Sequence, residues 1–344
     1  MSPEKEITIY DIAKSLNISA ATVSRGLKDH PAINKGTKKR IFDAAREMGY
    51  RANSLASNLR LQKTNTIGVI VPRLNSSFMS DALAGMERIV NQAGYNLIIS
   101  QSLETVKKEI ENSLTMFNNR VDGLLVSLAY DTENTDHFEQ FIKKGIPVIF
   151  FDRISENKKC PNIAIDNRKA GYELTKHLIE QGAKRIVHIC GNLLRNTYAD
   201  RFEGYKDALK EFDLDFSDEL LIVNNLSSAD GTNAAAQILN MDPKPDAVFV
   251  ANDNCAVACM QELKKQGVKI PEDIAFAGFN NDPISRVIEP NLTTVSYRGE
   301  ELGEMAAKVL VAYLINDTNQ LTNCTHLLEH QLVVRQSSLR KRTG

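Results

Sequence analysis

The sequence SAATVSRGL, from Ser19 to Leu27, places small residues and one arginine on the same side of a predicted helix. Val23 and Leu27 recur at helical spacing and are expected to face inward, with Ser19 as the N-cap. The outward residues are Ala20, Ala21, Ser24 and Arg25. Small side chains let a helix enter a DNA major groove, where an arginine can donate two hydrogen bonds to guanine O6 and N7. The stretch therefore favours a base-reading helix, with Arg25 making most of the direct base contacts.

Polar residues suited to a small ligand follow four predicted strands further along the chain. They are Asn75, Ser76 and Ser77 after IGVIVP, beside the aromatic Phe78; Arg195, Thr197 and Arg201 after RIVHIC; Asn252 and Asp253 after DAVFV; and Asn280 and Asn281 after DIAFAGF. In open α/β sheets the crevice outside the carboxyl ends of the strands collects ligands. A carboxylate accepts from vicinal hydroxyls and a guanidinium donates to sugar oxygens, so Asp253 and Arg201 are predicted to bind a polyol. The alternative for Asp253 is a cap for the helix that follows it.

The base-reading helix needs a scaffold, and two flanking helical patterns provide one. The first has Thr8 as its predicted cap and an apolar stripe at i, i+3, i+4 and i+7, formed by Ile9, Ile12, Ala13 and Leu16. In the other, Asn34 caps a helix that Gly49 ends, and the inner face carries Ile41, Ala44, Ala45 and Met48. Three helices make a minimal compact module, whereas two alone would indicate only an ordinary helical hairpin.

From Ile67 onward, short apolar runs alternate with amphipathic stretches. The runs are IGVIVP, YNLIIS, VDGLLVSL, PVIFFD, NIAID, RIVHIC, ELLIV, DAVFVAN and DIAFAGF. Continuous apolar strands separated by helices indicate parallel sheets covered on both faces, and there are too many runs for one small sheet. The sequence therefore predicts an α/β body made of two similar halves with parallel sheets.

Three motifs together resemble the lactose-repressor/galactose-repressor (LacI/GalR) family of bacterial transcription factors. They are Asp11-Ile12-Ala13, Ser19-x-x-Thr22-Val23-Ser24-Arg25 and Asn53-x-x-Ala56-x-x-Leu59. The resemblance implies a helix-turn-helix head over residues 1–50 and a hinge helix with linker over 51–66. It also implies that the hinge helices of two subunits pair in the minor groove, where Leu59 wedges between base steps and bends the duplex. The implied DNA-binding residues are Thr8, Ser19, Ala20, Ala21, Thr22, Ser24, Arg25, Asn53, Ala56 and Leu59.

By the same resemblance, residues 67–337 form a periplasmic-binding-protein-like body for effector binding and dimerisation, followed by a tail over 338–344. Three crossovers are expected between a first subdomain, about 67–162 and 293–325, and a second, about 163–292 and 326–337. The implied effector-binding residues are Ser76, Ser77, Phe78, Arg195, Thr197, Arg201, Asn252, Asp253 and Asn280. Two departures concern the ligand, since Asn280 stands where relatives often carry Asp and the chain has no Trp to stack on a sugar.

Charge is distributed unevenly, although the 42 Lys and Arg nearly balance the 43 Asp and Glu. Residues 1–66 carry 12 Lys and Arg against 6 Asp and Glu, whereas the remainder carries 30 against 37. A basic head fits a polyanionic partner, because neutralising phosphates provides affinity that does not depend on base sequence. The run Lys38-Lys39-Arg40 is either a set of phosphate contacts or a solvated helix face.

The sequence shows no pattern for catalysis, a metal or a cofactor. It lacks G-x-x-x-x-G-K-[ST], G-x-S-x-G and H-E-x-x-H, and its six histidines are scattered, with His188 expected as a satisfied core residue. Five cysteines without paired C-x-x-C spacing indicate a reducing cytosol, and Cys255 and Cys259 are expected to be small buried side chains. Without a signal peptide or an 18-residue apolar stretch, a cytoplasmic location without membrane contact is expected.

Together these features predict a homodimeric, sequence-specific repressor, not an enzyme, that binds a pseudo-palindromic operator and responds to a small-molecule effector. A sugar is favoured as the effector. A purine with corepressor logic is the alternative, because the Arg195-Asn196-Thr197 loop resembles that of purine-binding relatives. A transport-type binding protein would share the body but needs export and no basic head. A sugar enzyme fused to a helix-turn-helix would need catalytic carboxylates or a phosphate loop.

Overall fold

The computed structural model describes residues 7–50, 63–157, 159–316 and 324–340. The chain divides into two compact units, Met1–Thr64 and Asn65–Gly344, which are the head and the body. The predicted hinge helix, with Asn53, Ala56 and Leu59, lies outside the described residues. Most of the predicted tail lies outside them as well.

The head contains three helices within residues 7–50, which are α1 (Ile9–Leu16), α2 (Ala20–Leu27) and α3 (Lys35–Glu47). All three predicted helices are confirmed. Asn17 ends α1 in the left-handed region at φ 54°, and Gly49 follows α3 at φ 67°. Both residue types tolerate this conformation, so the chain turns where the sequence indicates.

The helices of the head begin at the predicted caps. Asp11 Oδ2 accepts hydrogen bonds from the backbone nitrogen and the hydroxyl of Thr8, at 2.8 and 2.6 Å. Ser19 Oγ accepts from the backbone nitrogen of Thr22 at 3.1 Å, and Asn34 caps α3 in the same way. These side chains satisfy N–H groups that have no partner within a helix, which stabilises the short helices.

A small apolar core holds the three helices together. Ile12, Val23 and Ile41 are fully buried, as predicted. Gly26 allows a close contact here, since a Cβ on it would lie 2.4 Å from Cδ1 of Ile41. Ala20 is half-buried and packs against this core, so only part of its side chain remains on the outer face of α2. Ala20 lies three residues before Val23 and four before Ser24, so helical spacing places it between the inner and outer faces.

Within its described part, the body consists of strands and helices that alternate over most of its length. The strands are β1 (Thr66–Val71), β2 (Asn96–Gln101), β3 (Gly123–Val126), β4 (Val148–Phe151), β5 (Asn162–Ile165), β6 (Ile186–Cys190), β7 (Leu221–Val223), β8 (Ala247–Val250), β9 (Ala275–Phe279), β10 (Thr293–Ser296), β11 (Thr325–Leu328) and β12 (Gln331–Val333). The helices are α4 (Ser77–Gln92), α5 (Val106–Asn118), α6 (Glu139–Lys143), α7 (Asn167–Glu180), α8 (Asn196–Glu211), α9 (Ser228–Asn240), α10 (Asp253–Lys265) and α11 (Gly299–Asn316).

The strands form two six-stranded sheets, ordered β11-β5-β4-β3-β1-β2 and β12-β10-β9-β8-β6-β7. Neighbouring strands pair in parallel, except that β10 and β12 pair antiparallel. Helices cover the sheets, so strand residues such as Phe150, Phe249 and Phe276 are fully buried. The predicted α/β body with two parallel sheets is confirmed.

Sheet membership differs from the predicted subdomain boundaries at three places. The sequence places residues 163–165 and 326–328 in the second subdomain and residues 293–296 in the first. Instead, β5 and β11 belong to the first sheet and β10 to the second. The chain therefore crosses between the sheets after β5, after β10 and after β11. Apolar runs locate strands but not their partners, because paired strands are distant in sequence.

Glycines bring helices of each subdomain into backbone contact. A Cβ at Gly303 on α11 would lie 1.9 Å from the carbonyl oxygen of Ala82 on α4. A Cβ at Gly204 on α8 would lie 2.0 Å from the carbonyl oxygen of Arg168 on α7. These contacts fix the helices whose first turns follow β1 and β6. None of the helices in the described ranges has the length and apolar character needed to span a membrane.

His188 lies in β6 and is fully buried. Its ring packs against Tyr205 and Phe249, with centroids 5.3 and 4.2 Å away. Nδ1 donates to the carbonyl oxygen of Phe249 at 3.2 Å, whereas Nε2 is buried without a partner among the described residues. Burial lowers the pKa of His188 to about 3, so the ring is neutral at physiological pH. His188 is therefore a core residue, but only one of its nitrogens is satisfied.

Candidate ligand cleft and nucleic-acid interface

The outer face of α2 offers few side chains that could reach DNA. Ala21 and Arg25 are exposed, and Ser24 is half-buried. Within residues 7–50 the Arg25 guanidinium forms no hydrogen bond or ion pair, so its donors are free for a base edge or a phosphate. The hydroxyls of Ser19 and Thr22 lie 2.8 Å apart, which engages both at the start of α2.

The basic run on α3 is not uniform. Lys38 forms an ion pair with Asp29 at 2.5 Å, and its side chain is only 17% exposed. Lys39 and Arg40 are exposed. Because its ammonium group already pairs with the Asp29 carboxylate, Lys38 is less suited to a phosphate contact than Lys39 or Arg40.

A cleft of about 400 Å³ lies between the two subdomains of the body. The first residues of α4, α8, α9 and α10 border it, and each of these helices follows a strand. The predicted effector residues along it are Ser76, Ser77, Phe78, Thr197, Arg201, Asn252 and Asn280. This volume is in the range of sites for one small molecule.

The Arg201 side chain extends from α8 to the cleft, and neighbouring residues fix the orientation of its guanidinium. Its Nε donates to Asn167 Oδ1 at 2.9 Å and its Nη1 to the carbonyl oxygen of Ala251 at 3.2 Å. The guanidinium carbon lies 3.4 Å from the centre of the Phe279 ring, and Nη2 donates to the Tyr297 hydroxyl at 3.5 Å. A guanidinium has five N–H donors, so Arg201 keeps donors for a ligand in a fixed orientation.

Asp152 follows β4 and lines the cleft, although the sequence prediction omitted it. It lies in the left-handed region at φ 59°, where Asp and Asn are more common than other non-glycine residues. Its carboxylate accepts no hydrogen bond from a described residue. Burial raises its pKa, and the positive charges of Arg153 and Arg201 oppose this rise. Asp152 therefore presents a hydrogen-bond acceptor to any ligand in the cleft.

Four further lining residues form a polar wall that was also not predicted. Arg153 Nη1 pairs with Glu104 Oε2 at 2.6 Å, and Nη2 donates to the Tyr198 hydroxyl at 3.3 Å. The guanidinium carbon lies 4.5 Å from the centre of the Tyr130 ring, and the Tyr130 hydroxyl donates to that of Tyr198 at 3.3 Å. Arg73 also lines the cleft, and its Nε lies 3.3 Å from Glu104 Oε1, so one carboxylate pairs with two guanidinium groups along this wall.

The predicted ligand contact of Asp253 is wrong. Asp253 is fully buried and does not border the cleft. Its Oδ1 accepts from the Thr294 hydroxyl and its Oδ2 from the backbone nitrogen of Asp282, both at 2.8 Å. Burial raises its pKa well above the usual range. The helix cap that the sequence suggested for it belongs instead to Asn252, whose Oδ1 accepts from the nitrogen of Cys255 at 3.1 Å.

Replacing Asp253 by asparagine is expected to lower the free energy of unfolding by about 1–3 kcal/mol. An amide cannot accept from both the Thr294 hydroxyl and the Asp282 nitrogen, so one buried donor loses its partner. Chemical denaturation measures the change, with Asp215→Asn on the surface as the matched control. Ligand affinity should stay at the wild-type value. If Asp253→Asn lost ligand binding but kept the wild-type stability, Asp253 would be a ligand contact after all.

Arg195 also lies away from the cleft surface, contrary to the prediction. It is 6% exposed, and its Nη2 donates to the carbonyl oxygen of Thr132 in the first subdomain. Its Nε is buried without a partner among the described residues. The side chain thus extends from the start of α8 into the opposite subdomain instead of into the ligand space.

Two more predicted residues line the cleft but are partly engaged already. Phe78 is 7% exposed, and its ring centroid lies 4.7 Å from that of Tyr297. Asn280, at φ 107°, accepts from the Tyr297 hydroxyl at 3.3 Å. Asn281 turns away, since its Oδ1 accepts from Arg335 at 2.6 Å. These contacts leave Phe78 little surface for stacking on a ligand ring.

The described residues contain no group of three or more His, Cys, Asp or Glu side chains that could hold a metal ion. Cys255 and Cys259 are fully buried free thiols, as predicted. Burial raises the pKa of Cys255 to about 12, which keeps its thiol protonated at physiological pH.

Comparison with known proteins agrees with both units of the chain. Residues 8–53 match the family model "Bacterial regulatory proteins, lacI family", and residues 175–338 match "Periplasmic binding protein-like domain". Catabolite control protein A of Priestia megaterium is 31% identical over 96% of this chain and 99% of that protein. The HTH-type transcriptional repressor PurR of Vibrio atlanticus is 29% identical over 88% of this chain and 91% of that protein. A lac repressor dimer bound to operator and an anti-inducer shares the fold, with a TM-score of 0.85, 22% identity, and coverage of 98% of this chain and 100% of that one.

Proposed function

The chain belongs to the lacI family of bacterial regulatory proteins, and from this we propose that it is a homodimeric repressor whose body binds a sugar. Its relatives are transcription regulators and not enzymes. The unpaired carboxylate of Asp152 beside the fixed guanidinium of Arg201 is the observation that carries the ligand part of the proposal. An acceptor and a donor side by side suit the hydroxyl groups of a polyol.

In the proposed complex, α2 of each head lies in a major groove of a pseudo-palindromic operator. Arg25 reads base edges, and Ala21 is small enough to contact a thymine methyl group. Thr8, Ser19, Thr22 and Ser24 remain proposed DNA contacts around this helix. Asn53, Ala56 and Leu59 are proposed to contact the minor groove.

Exposed apolar side chains on the first subdomain support a dimer. They cluster on β2, α5 and the connection between them: Ile98 (39% exposed), Ile99 (43%), Leu103 (59%), Ile110 (45%) and Leu114 (51%). Exposed apolar side chains grouped on neighbouring elements are typical of protein interfaces. A second copy of the chain is the proposed partner, because an operator with two half-sites needs two heads.

Leu114→Glu is expected to raise the dimer dissociation constant at least about tenfold, since an unpaired carboxylate would be buried in an apolar interface. Sedimentation at a series of protein concentrations measures the constant. Leu327→Glu is the matched control, because Leu327 is 60% exposed on β11, at the opposite edge of the same sheet. Equal effects of both substitutions would place the interface elsewhere.

The cleft provides further groups for sugar hydroxyls. Asn252 uses its Oδ1 as a helix cap, and its amide N–H groups have no partner among the described residues. Ser77 and Thr197 line the same space. The cleft holds about 400 Å³, enough for one sugar.

Effector control requires that the sugar bind two arrangements of the body with different affinities. Residues that line the cleft come from both subdomains, so a ligand between them favours the closed arrangement. Closure is proposed to change the spacing of the two heads in the dimer. Operator affinity then depends on the fraction of closed protein.

A thermal-shift screen against monosaccharides, disaccharides and purines tests the ligand proposal. A sugar present at about 100 times its dissociation constant should stabilise the protein by about 2.7 kcal/mol. Stabilisation by a purine and by none of the sugars would overturn the sugar assignment. It would leave the family and the DNA-binding function unchanged.

A further inference from the structure

The charged guanidinium of Arg195 is buried, and its N–H donors have few hydrogen-bond partners. It is 6% exposed at the start of α8, and its Nη2 donates to the Thr132 carbonyl oxygen across the subdomain boundary. Its Nε is buried without a partner among the described residues. In water, all five N–H donors of a guanidinium are hydrated. Closing the subdomains around Arg195 therefore removes more hydrogen bonds than it restores.

Nearby charges do not compensate for this burial. Glu109 and Asp131 attract the Arg195 charge, whereas Arg153 repels it. Glu109 is already engaged, since it accepts from the backbone nitrogen of Ala129 at 2.7 Å. Burial and Arg153 together lower the pKa of Arg195, which means that the cation is less stable here than in water.

The charges and the acceptor around Arg195 all belong to the first subdomain, whereas Arg195 belongs to the second. Neutral hydrogen bonds cross the same side of the cleft with both partners satisfied. Asn192 Nδ2 donates to the Tyr130 carbonyl oxygen at 2.9 Å, and Asn196 Oδ1 accepts from the Ile154 nitrogen at 3.0 Å. Arg195 differs from these pairs because it brings an incompletely paired charge into the closed arrangement.

We propose that Arg195 opposes closure of the body and so sets the fraction of ligand-free protein that is closed. When the subdomains separate, its guanidinium regains water, and this favours the open arrangement. A ligand must offset that preference before the cleft closes. The inference rests on the proposed function, in which an effector shifts the body between two arrangements. Arg195 thereby keeps the fraction of closed protein low without ligand, so that ligand binding can raise it.

Distances measured in the full-length protein without ligand test the proposal. Spin labels are attached through Ala84→Cys on α4 and Ala229→Cys on α9, two exposed positions on opposite subdomains, in a Cys324→Ser background. Labelled protein is diluted with unlabelled protein, so that distances within one chain dominate. Arg195→Met and Arg195→Gln should raise the ratio of short to long distances at least fivefold. Arg195→Lys should change it less, because it keeps the charge.

Arg168→Met is the matched control, since the Arg168 side chain is 58% exposed in an ion pair on the same subdomain. It should leave the distance ratio unchanged. A wild type with short distances only, or a neutral variant with unchanged or longer distances, contradicts the proposal. Should Arg195→Met fail to fold, Arg195→Gln decides. The distance measurement uses no ligand, so it remains valid even if no sugar stabilises the protein in the thermal-shift screen. An unchanged distance ratio would contradict the role of Arg195 but not the proposal that the cleft binds a sugar.

Discussion

Replacing Asp152 by asparagine is expected to weaken effector binding about 10- to 100-fold, or about 1.5–3 kcal/mol. The substitution keeps the size of the side chain and suits the left-handed backbone at φ 59°, which asparagine also tolerates. It removes the charge and replaces one acceptor oxygen by a donor. Because no described residue bonds to the carboxylate, the fold should be unaffected. Calorimetric titration with the sugar found by thermal shift measures the loss.

Asp213→Asn is the matched control for this change. Asp213 is exposed and has a similar left-handed backbone at φ 53°, so it reports any general effect of the substitution. Wild-type affinity for the sugar in Asp152→Asn would show that Asp152 is not a ligand contact. Acidification provides a second test, because burial raises the pKa of Asp152 and its charge is lost at a higher pH than usual. Affinity should therefore fall as the pH drops in the wild type but not in Asp152→Asn.

Arg25→Ala is expected to weaken binding to the cognate operator by about 1–3 kcal/mol and to random DNA much less. Arg25 is exposed on α2, and the neighbouring Ala21 cannot hydrogen-bond to a base edge. Most direct base recognition by this helix should therefore depend on Arg25. The operator is first selected from random duplexes with the wild-type protein. Titrations of the selected and the random duplex then give both affinities at one salt concentration.

Arg40→Ala on α3 is the matched control, since Arg40 is an exposed arginine of the head and belongs to the basic run suited to phosphate contacts. Removing a phosphate contact should weaken both duplexes to a similar extent. If Arg25→Ala also weakened both duplexes equally, Arg25 would be a phosphate contact. Base recognition would then have to come from other residues.

The head could be predicted almost completely because its signals are local. Thr8, Ser19 and Asn34 act as caps within three residues of their partners, and the apolar spacing identifies the core. The half-burial of Ala20 could not be predicted, because a small residue fits either face of a helix. Only the packing of α2 against the core determines how much of it stays exposed.

The cleft was predicted less well, because residues distant in sequence determine whether a polar side chain already has hydrogen-bond partners. Asp152 and Asp253 both follow buried strands, and the sequence does not distinguish them. The Asp253 carboxylate accepts hydrogen bonds from Asp282 and Thr294, which are 29 and 41 residues further along the chain. Asp152 has no such partner among the described residues and remains open to a ligand. The strand rule that led to Asp253 applies equally to Asp152, directly after PVIFF.

Arg195 shows the same limit for a charged residue. Its position before a helix and after a strand is typical of a ligand contact. Its partner is the carbonyl oxygen of Thr132, a backbone atom of the other subdomain that no side-chain pattern can reveal. The relative arrangement of two subdomains is set by contacts that form only after both have folded.

Operator titration with and without the sugar tests effector control most directly. Wild-type affinity for the selected operator should change at least about tenfold, or about 1.4 kcal/mol, when the sugar saturates the cleft. A decrease identifies an inducer and an increase a corepressor. Asp152→Asn should show the wild-type affinity without sugar and a smaller change than the wild type at a sugar concentration close to the wild-type dissociation constant. A sugar that binds the wild-type body but leaves its operator affinity unchanged would contradict control of DNA binding through the cleft.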